Sequence, residues 1–174
     1  VASQNITDPT LGPLALDFMA QGLNAEKAIA LVREQGKFIE YRQVLVVDYE
    51  GRTAIHSGPN SLGIWTQAQA KNVAAGGNLL ANDTVPQAII DGYATAKGHI
   101  GDLLIAAMRA GLAAGGEAGP LHSAGMQIAD KDSWPIADLR CDWTEDCPIE
   151  NIATAWKIYK PQLEAHFDKD LPES

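Results

Sequence analysis

Several things are scarce in this sequence. Among 174 residues there are two cysteines, aromatic residues make up 6%, and Lys plus Arg number 13 against 22 Asp plus Glu. The net charge is −9, which repels phosphate backbones and anionic lipid surfaces and argues against nucleic-acid or membrane-surface binding. Cys141 and Cys147 are too few for a disulfide framework. Reduced thiols in a cytoplasmic protein are the expectation, with one local disulfide as the other reading. Apolar runs such as Leu103 to Met108 fall far short of the ~20 residues a spanning helix needs. Val1 to Asp8 has neither a basic nor an apolar leader region, so it does not read as a signal peptide. The four histidines, His56, His99, His122 and His166, lack metal-ligand spacing, so neither a metal nor a cofactor is expected. Walker, G-x-G-x-x-G, G-x-S-x-G and H-E-x-x-H motifs are all missing.

What is present suits one globular domain over residues 1–174, with a polar tail over 165–174 expected to fray. Gly12-Pro13 opens a first helix that stops near Gly22. Asn24 caps a second, in which Ala25, Ala28, Ile29 and Val32 share a face, and Gly36 ends it. Arg42 to Asp48 reads as a strand covered on both faces, returning through a turn to a strand over Thr53 to Ser57. A third strand is expected around Asn72 to Ala75, running into Gly76-Gly77-Asn78. Two amphipathic helices follow, on Val85–Ala96 and Ile100–Gly111. Leu121 to Ala129 and Asp138 to Trp143 alternate as strands, and a last helix is expected to end before Pro161. Strand pairs separated by helix pairs argue for an α+β fold of antiparallel sheets. Val1 to Gln4 reads as the end of a strand.

Four groups could carry chemistry. Two glycines at a strand end expose backbone N–H groups, and the Asn78 amide beside Gly77 can donate to an oxyanion; the plainer reading is a turn. His122 and Ser123, adjacent on a strand, point to opposite faces and cannot form a nucleophile–base pair with each other. Arg140 between Asp138 and Asp142 is either an exposed ion pair or a recognition arginine for a carboxylate. Arg42 and Gln43 at a strand start raise the same question. The stretch Ser3 to Pro9, with Gln4, gathers hydroxyl and amide groups where a strand meets a helix, with turn chemistry as the alternative. Asn5-Ile6-Thr7 and Asn82-Asp83-Thr84 fit the glycosylation sequon, which counts only in a secreted eukaryotic protein.

The ordered set VASQNITDPTLGPLALDFMAQGLNAEKAI, EYRQVLVVDYEGRTAIHSG, GGNLLAN, RAGLAAGG with HSAGMQIA, and ADLRCDW resembles the domain of unknown function 1028 family along nearly the whole chain. That family is bacterial and archaeal and is placed among the N-terminal nucleophile (Ntn) hydrolases. The resemblance implies a four-layer αββα sandwich. It also implies cleavage of an amide through an acyl-enzyme, with an N-terminal Thr, Ser or Cys as nucleophile and its own α-amino group as base. Asn78 and Gly77 would serve the oxyanion, and Gln4, Arg42, Gln43, His122, Ser123 and Arg140 would line the substrate pocket. The sequence departs in two places. Val1 has no nucleophilic side-chain atom, and His122 stands where the family pattern has Gln. The nucleophile is therefore expected outside this chain, either on a companion N-terminal chain from the same precursor or on a further N-terminal segment of the same polypeptide, with a homodimer of the assembled unit. The competing expectation is a binding or structural module that keeps the fold without the chemistry.

Overall fold

The structure is a computed structural model that describes residues 1–132 and 134–167. The order is β1 (Ala2–Gln4), α1 (Leu11–Ala20), α2 (Ala25–Gln35), β2 (Gln43–Val47), β3 (Thr53–Ser57), β4 (Ile64–Ala70), β5 (Val73–Leu80), α3 (Val85–Thr95), α4 (Ile100–Ala113), β6 (Ala124–Ala129), β7 (Pro135–Cys141) and α5 (Pro148–Phe167). The strands form three antiparallel sheets, β1-β2-β3, β4-β5 and β6-β7. The α+β expectation holds.

Local chemistry explains the helix starts. Asp8 Oδ1 accepts the main-chain N–H of Thr10 just before α1. Asn24 caps α2 by accepting from Lys27 N–H at 2.9 Å. A second first-turn N–H of α2, that of Ala25, donates to the Asp48 carboxylate from the β2–β3 turn. His99 and Asp102 form a reciprocal capping box on α4.

Strand β2 is buried on both sides, as its apolar run requires. Val44 and Val46 join Leu11, Ala15, Ala25, Ile29, Val32 and Ala54 in a core under α1 and α2. Gln43 and Leu45 point the other way, to β5. Gly76 allows that approach, since a Cβ there would lie 3.2 Å from Leu45 Cδ2. On the far side of β5, Val73 and Ala75 pack on Ile90 of α3. Helices α3 and α4 lie close because Gly111 faces Ile89, where a Cβ would come within 2.6 Å of Cγ1. The third core joins Ile105 of α4, Met126 and Ile128 of β6, Ala137 of β7, and Ile152, Trp156 and Leu163 of α5.

The structure departs from the sequence expectation in four places. Strand β5 continues through Gly76-Gly77-Asn78 to Leu80, so the two glycines lie within a strand. Its partner β4 has no clear apolar alternation and was not expected. Strand β6 begins at Ala124, so His122 and Ser123 precede it. Helix α5 runs through Pro161 because Leu163, two residues later, is anchored in the third core. Of the expected tail, residues 165–167 close α5 and the remainder lies outside the described residues.

Candidate functional site

Two glutamines join the first two sheets. Gln4, at the end of β1, pairs in register with Gln43 at the start of β2. Gln4 Nε2 donates to Gln43 Oε1 at 2.9 Å and to the Gly76 carbonyl at 3.1 Å. Gln43 Nε2 donates to Ser57 Oγ at 3.0 Å and to the Gly77 carbonyl at 3.2 Å. A main-chain carbonyl can only accept, so Gly76 and Gly77 fix which end of each amide is nitrogen. Gln43 is fully buried and all its amide atoms are engaged. Gln4 has spent both its N–H bonds, and among the described residues its Oε1 accepts from no protein group.

Immediately beyond Gly77 the β4–β5 ladder slips. Thr66 pairs with Gly77 and Ile64 with Leu80, so Asn78 and Leu79 together oppose Trp65. This is a β-bulge, a device that bends a strand and re-aims a side chain. Leu79 takes a left-handed backbone with φ 53. Gly63 also has positive φ and lies so close that a Cβ on it would be 3.1 Å from Leu79 Cα. A hydrogen-bond path ties the bulge to the end of β1. Asn5 Nδ2 donates to the Tyr41 carbonyl, and Asn5 Oδ1 accepts from Leu62 N–H. The Leu62 carbonyl then accepts from Leu79 N–H, and the Leu79 carbonyl from Ala118 N–H. Asn5 itself sits at φ 61, followed by Ile6 at φ 49.

Beside this arrangement lies a cavity of about 360 Å³, lined by Gln4, Gly76 to Leu80, and apolar side chains of α3, α4 and α5. The Asn78 side chain is half-buried there and makes no hydrogen bond to any described residue. The cavity therefore presents an acceptor, Gln4 Oε1, and an amide, Asn78, in an otherwise apolar wall, with Glu117 at its rim. A second cavity of about 270 Å³ is lined by Ser123 to Gln127 and by residues of α4 and α5. Met108, Leu121 and Ile149 line both.

The structure thus brings together Gln4, Gln43, Gly77 and Asn78. It does not bring the other expected residues to them. Arg42 lies toward the β1–α1 loop. Its Nε is buried without a partner, and its charge acts on Asp8. Asp8 is held below the ordinary carboxylate range chiefly by the Thr10 hydroxyl and N–H, with Arg42 and Lys37 assisting. His122 stacks on Trp143, with ring centroids 4.0 Å apart, and its Nδ1 is 3.0 Å from the Thr144 carbonyl. No hydrogen bond joins His122 to Ser123, which is exposed on the second cavity. Arg140 is exposed and paired with Asp142 at 2.7 Å. Ser57, Asn5 and the bulge at Leu79 were not singled out from sequence. A serine at a strand end carries no signal of its own, whereas Asn5 lay inside a stretch already marked as polar.

Two carboxylates away from this site are held strongly. Burial alone would raise the Asp48 pKa. The Arg52 guanidinium and the N–H groups of Ala25, Arg52 and Glu50 outweigh it and bring the value from 3.8 down to about 2. Asp102 is likewise lowered against its burial by Lys160, Trp156 and the His99 N–H. Cys141 and Cys147 are unpaired. Among the described residues no three His, Cys, Asp or Glu side chains gather to hold a metal. No helix of the described residues is long and apolar enough to cross a membrane.

The model of a family of unknown function (DUF1028) matches residues 1–152. A crystal structure of protein SPO2555 from Silicibacter pomeroyi, assigned to the same family, is similar at 26% identity and a TM-score of 0.82. The similarity covers 91% of this chain and 71% of that one. No curated protein matches.

Proposed function

The chain belongs to the DUF1028 family, and on that premise we propose that it forms the larger part of an Ntn-type amidohydrolase. Helices α1 and α2 lie on one side of β1-β2-β3, β5 on the other, and α3 beyond β5. This layering supports the four-layer αββα reading. The observation that carries the proposal is the Asn78 amide. It stands unpartnered on a bulge, at a cavity wall, next to an amide pair whose orientation two carbonyls fix.

In the proposed reaction, the hydroxyl or thiol of an N-terminal residue on a companion polypeptide adds to the substrate amide carbon. Its α-amino group takes the proton. The Asn78 N–H donates to the oxygen that becomes negative, an interaction stronger in the transition state than in the ground state. The C–N bond breaks, the proton passes to the departing amine, and water then releases the acid from the acyl-enzyme. Gln4 Oε1 is an acceptor for a substrate N–H or for the attacking α-amino group. Electrophilic labelling tests this reading. A β-lactone probe added to the native preparation should form one adduct, on the first residue of a polypeptide other than this chain. Hydrolysis by this chain alone, or no adduct on any polypeptide, sinks it.

One observation favours the second reading, a binding module. No Ser, Thr or Cys of the described residues lines the cavity at Gln4 and Asn78. A preparation that takes no adduct yet binds a small amide or carboxylic acid at that cavity would establish the module.

A further inference from the structure

Among the described residues no cation lines either cavity. Arg42 and Arg140, the two arginines suited by type to a carboxylate ligand, lie elsewhere, one near Asp8 and the other paired with Asp142. In the cavity at Gln4 and Asn78, Glu117 is the one ionisable side chain among the described residues of the wall. No ion pair with a described residue engages its carboxylate. Its charge is therefore available to a bound molecule.

Glu117 is exposed, but its position is fixed. Helix α4 ends at Ala113, and the chain then turns through Gly115 and Gly116, at φ 128 and 62, where any side chain would be strained. Asn82 Nδ2 holds this turn by donating to the Ala114 carbonyl at 2.7 Å. Main-chain bonds on either side of Glu117 then fasten it to the end of β5. Ala81 N–H donates to the Gly116 carbonyl at 3.0 Å, and Ala118 N–H to the Leu79 carbonyl at 2.8 Å. Glu117 thereby pairs with Leu80, two residues past Asn78. At ~3.3 Å per residue, that places it about 7 Å along the strand from Asn78. The other side chains of the wall are chiefly apolar, with Val85 and Ile89 from α3 and Met108 and Leu112 from α4.

We infer that this cavity selects a cationic amide, one carried on an apolar chain that ends in an ammonium or guanidinium group. The amide end meets Asn78 and Gln4 Oε1, the chain lies on the α3 and α4 side chains, and the cation reaches Glu117. Gln4 Oε1 and the Glu117 carboxylate are both acceptors, which suits a ligand rich in N–H donors. A carboxylate in the same place would face Glu117 with no cation to offset the repulsion. The net charge of −9 draws the same class of molecule at long range. That the bound amide is then cleaved rests on the hydrolase reading; the charge selection does not.

The test compares three amides of nearly equal length on the native preparation: 6-aminohexanamide, the neutral heptanamide, and adipamic acid. Binding is followed by the resonances of the Met108 methyl and the Asn78 side-chain amide, and cleavage separately by release of ammonia. The ammonium amide should bind about fivefold more tightly than heptanamide, the size of an ion pair that stays in contact with water. Adipamic acid should bind more weakly than either. Glu117→Gln should abolish the advantage of the ammonium amide, and Glu117→Lys should favour adipamic acid. The Glu117→Gln chain keeps nearly all its negative charge, so a preference that survives it comes from the general field and overturns the selection. Equal binding of the three amides, binding that leaves Met108 and Asn78 unshifted, or no binding at all overturns it too. The outcomes separate from those of the hydrolase reading. The expected preference with no ammonia released and no β-lactone adduct keeps the selection and sinks the chemistry. Ammonia released from all three with equal kcat/KM does the reverse.

Discussion

Gln4 and Gln43 face each other across the β1–β2 register and share a 2.9 Å amide–amide hydrogen bond. The Nε2 of each amide also donates to a carbonyl of the Gly76-Gly77 pair on another sheet. Two sheets are thus keyed together by polar groups at a point where apolar packing would be ordinary. A buried network of this kind is worth most when complete and costs most when one member is lost.

Replacing Gln43 should therefore be severe. Gln43→Ala leaves Gln4 and the Gly77 carbonyl with unmet bonds and opens a cavity, a cost of about 2–4 kcal/mol by urea denaturation. Gln43→Glu keeps the shape but aims a carboxylate at the Gly77 carbonyl. Its pKa should rise, so its destabilisation should be largest at neutral pH and shrink as pH falls.

Asp48 sets an acid limit. Its folded pKa of about 2 lies below the ordinary 3.8, so its contribution is fully present above pH ~4. It is lost progressively as pH falls from about 4 toward 2. Asp48→Asn should flatten that part of the stability–pH curve, measured by thermal melts between pH 2 and 6.

Asn78→Ala separates folding from function. The side chain has no protein partner among the described residues, so stability should change by no more than about 0.5 kcal/mol. On the hydrolase reading kcat should fall about 10²–10³-fold, the usual loss for one oxyanion donor. An unchanged rate in a folded variant would remove Asn78 from the mechanism.

Asn5 offers a graded comparison. Asn5→Ala loses the bonds to Tyr41 and Leu62 and keeps an unfavourable positive φ. Asn5→Gly loses the same bonds but accepts that φ. Calorimetry should find the alanine variant less stable than the glycine one by about 1 kcal/mol.

Much of the fold was legible in the sequence because its signals were local. The Asn24 cap, the two-sided apolar run of β2 and the helical stripes of α3 and α4 each depend on a few neighbouring residues. Strand β4 was not legible, since Ile64 to Ala70 is half-exposed and lacks alternation. Pro161 misled because a tertiary anchor, Leu163, overrides a local breaker. At the site, Gln4, Gly77 and Asn78 stood out by residue type and converge on one cavity, with Gln43 keyed to them from behind. Arg42, His122 and Arg140 stood out equally and lie elsewhere. Nothing in their spacing encodes what each of them faces: the charge of Asp8, the ring of Trp143 or the carboxylate of Asp142.

The bulge in β5 changes the parity of that strand. Buried positions are odd-numbered before it, at Val73 and Ala75, and even-numbered after it, at Leu80. Point substitutions at Asn78 or Leu79 leave this phase shift standing. Deleting either residue would erase it and force the chain to choose between burying Ala75 and burying Leu80. In this strand, chain length counts for more than residue identity, and a single-codon deletion is the more damaging lesion.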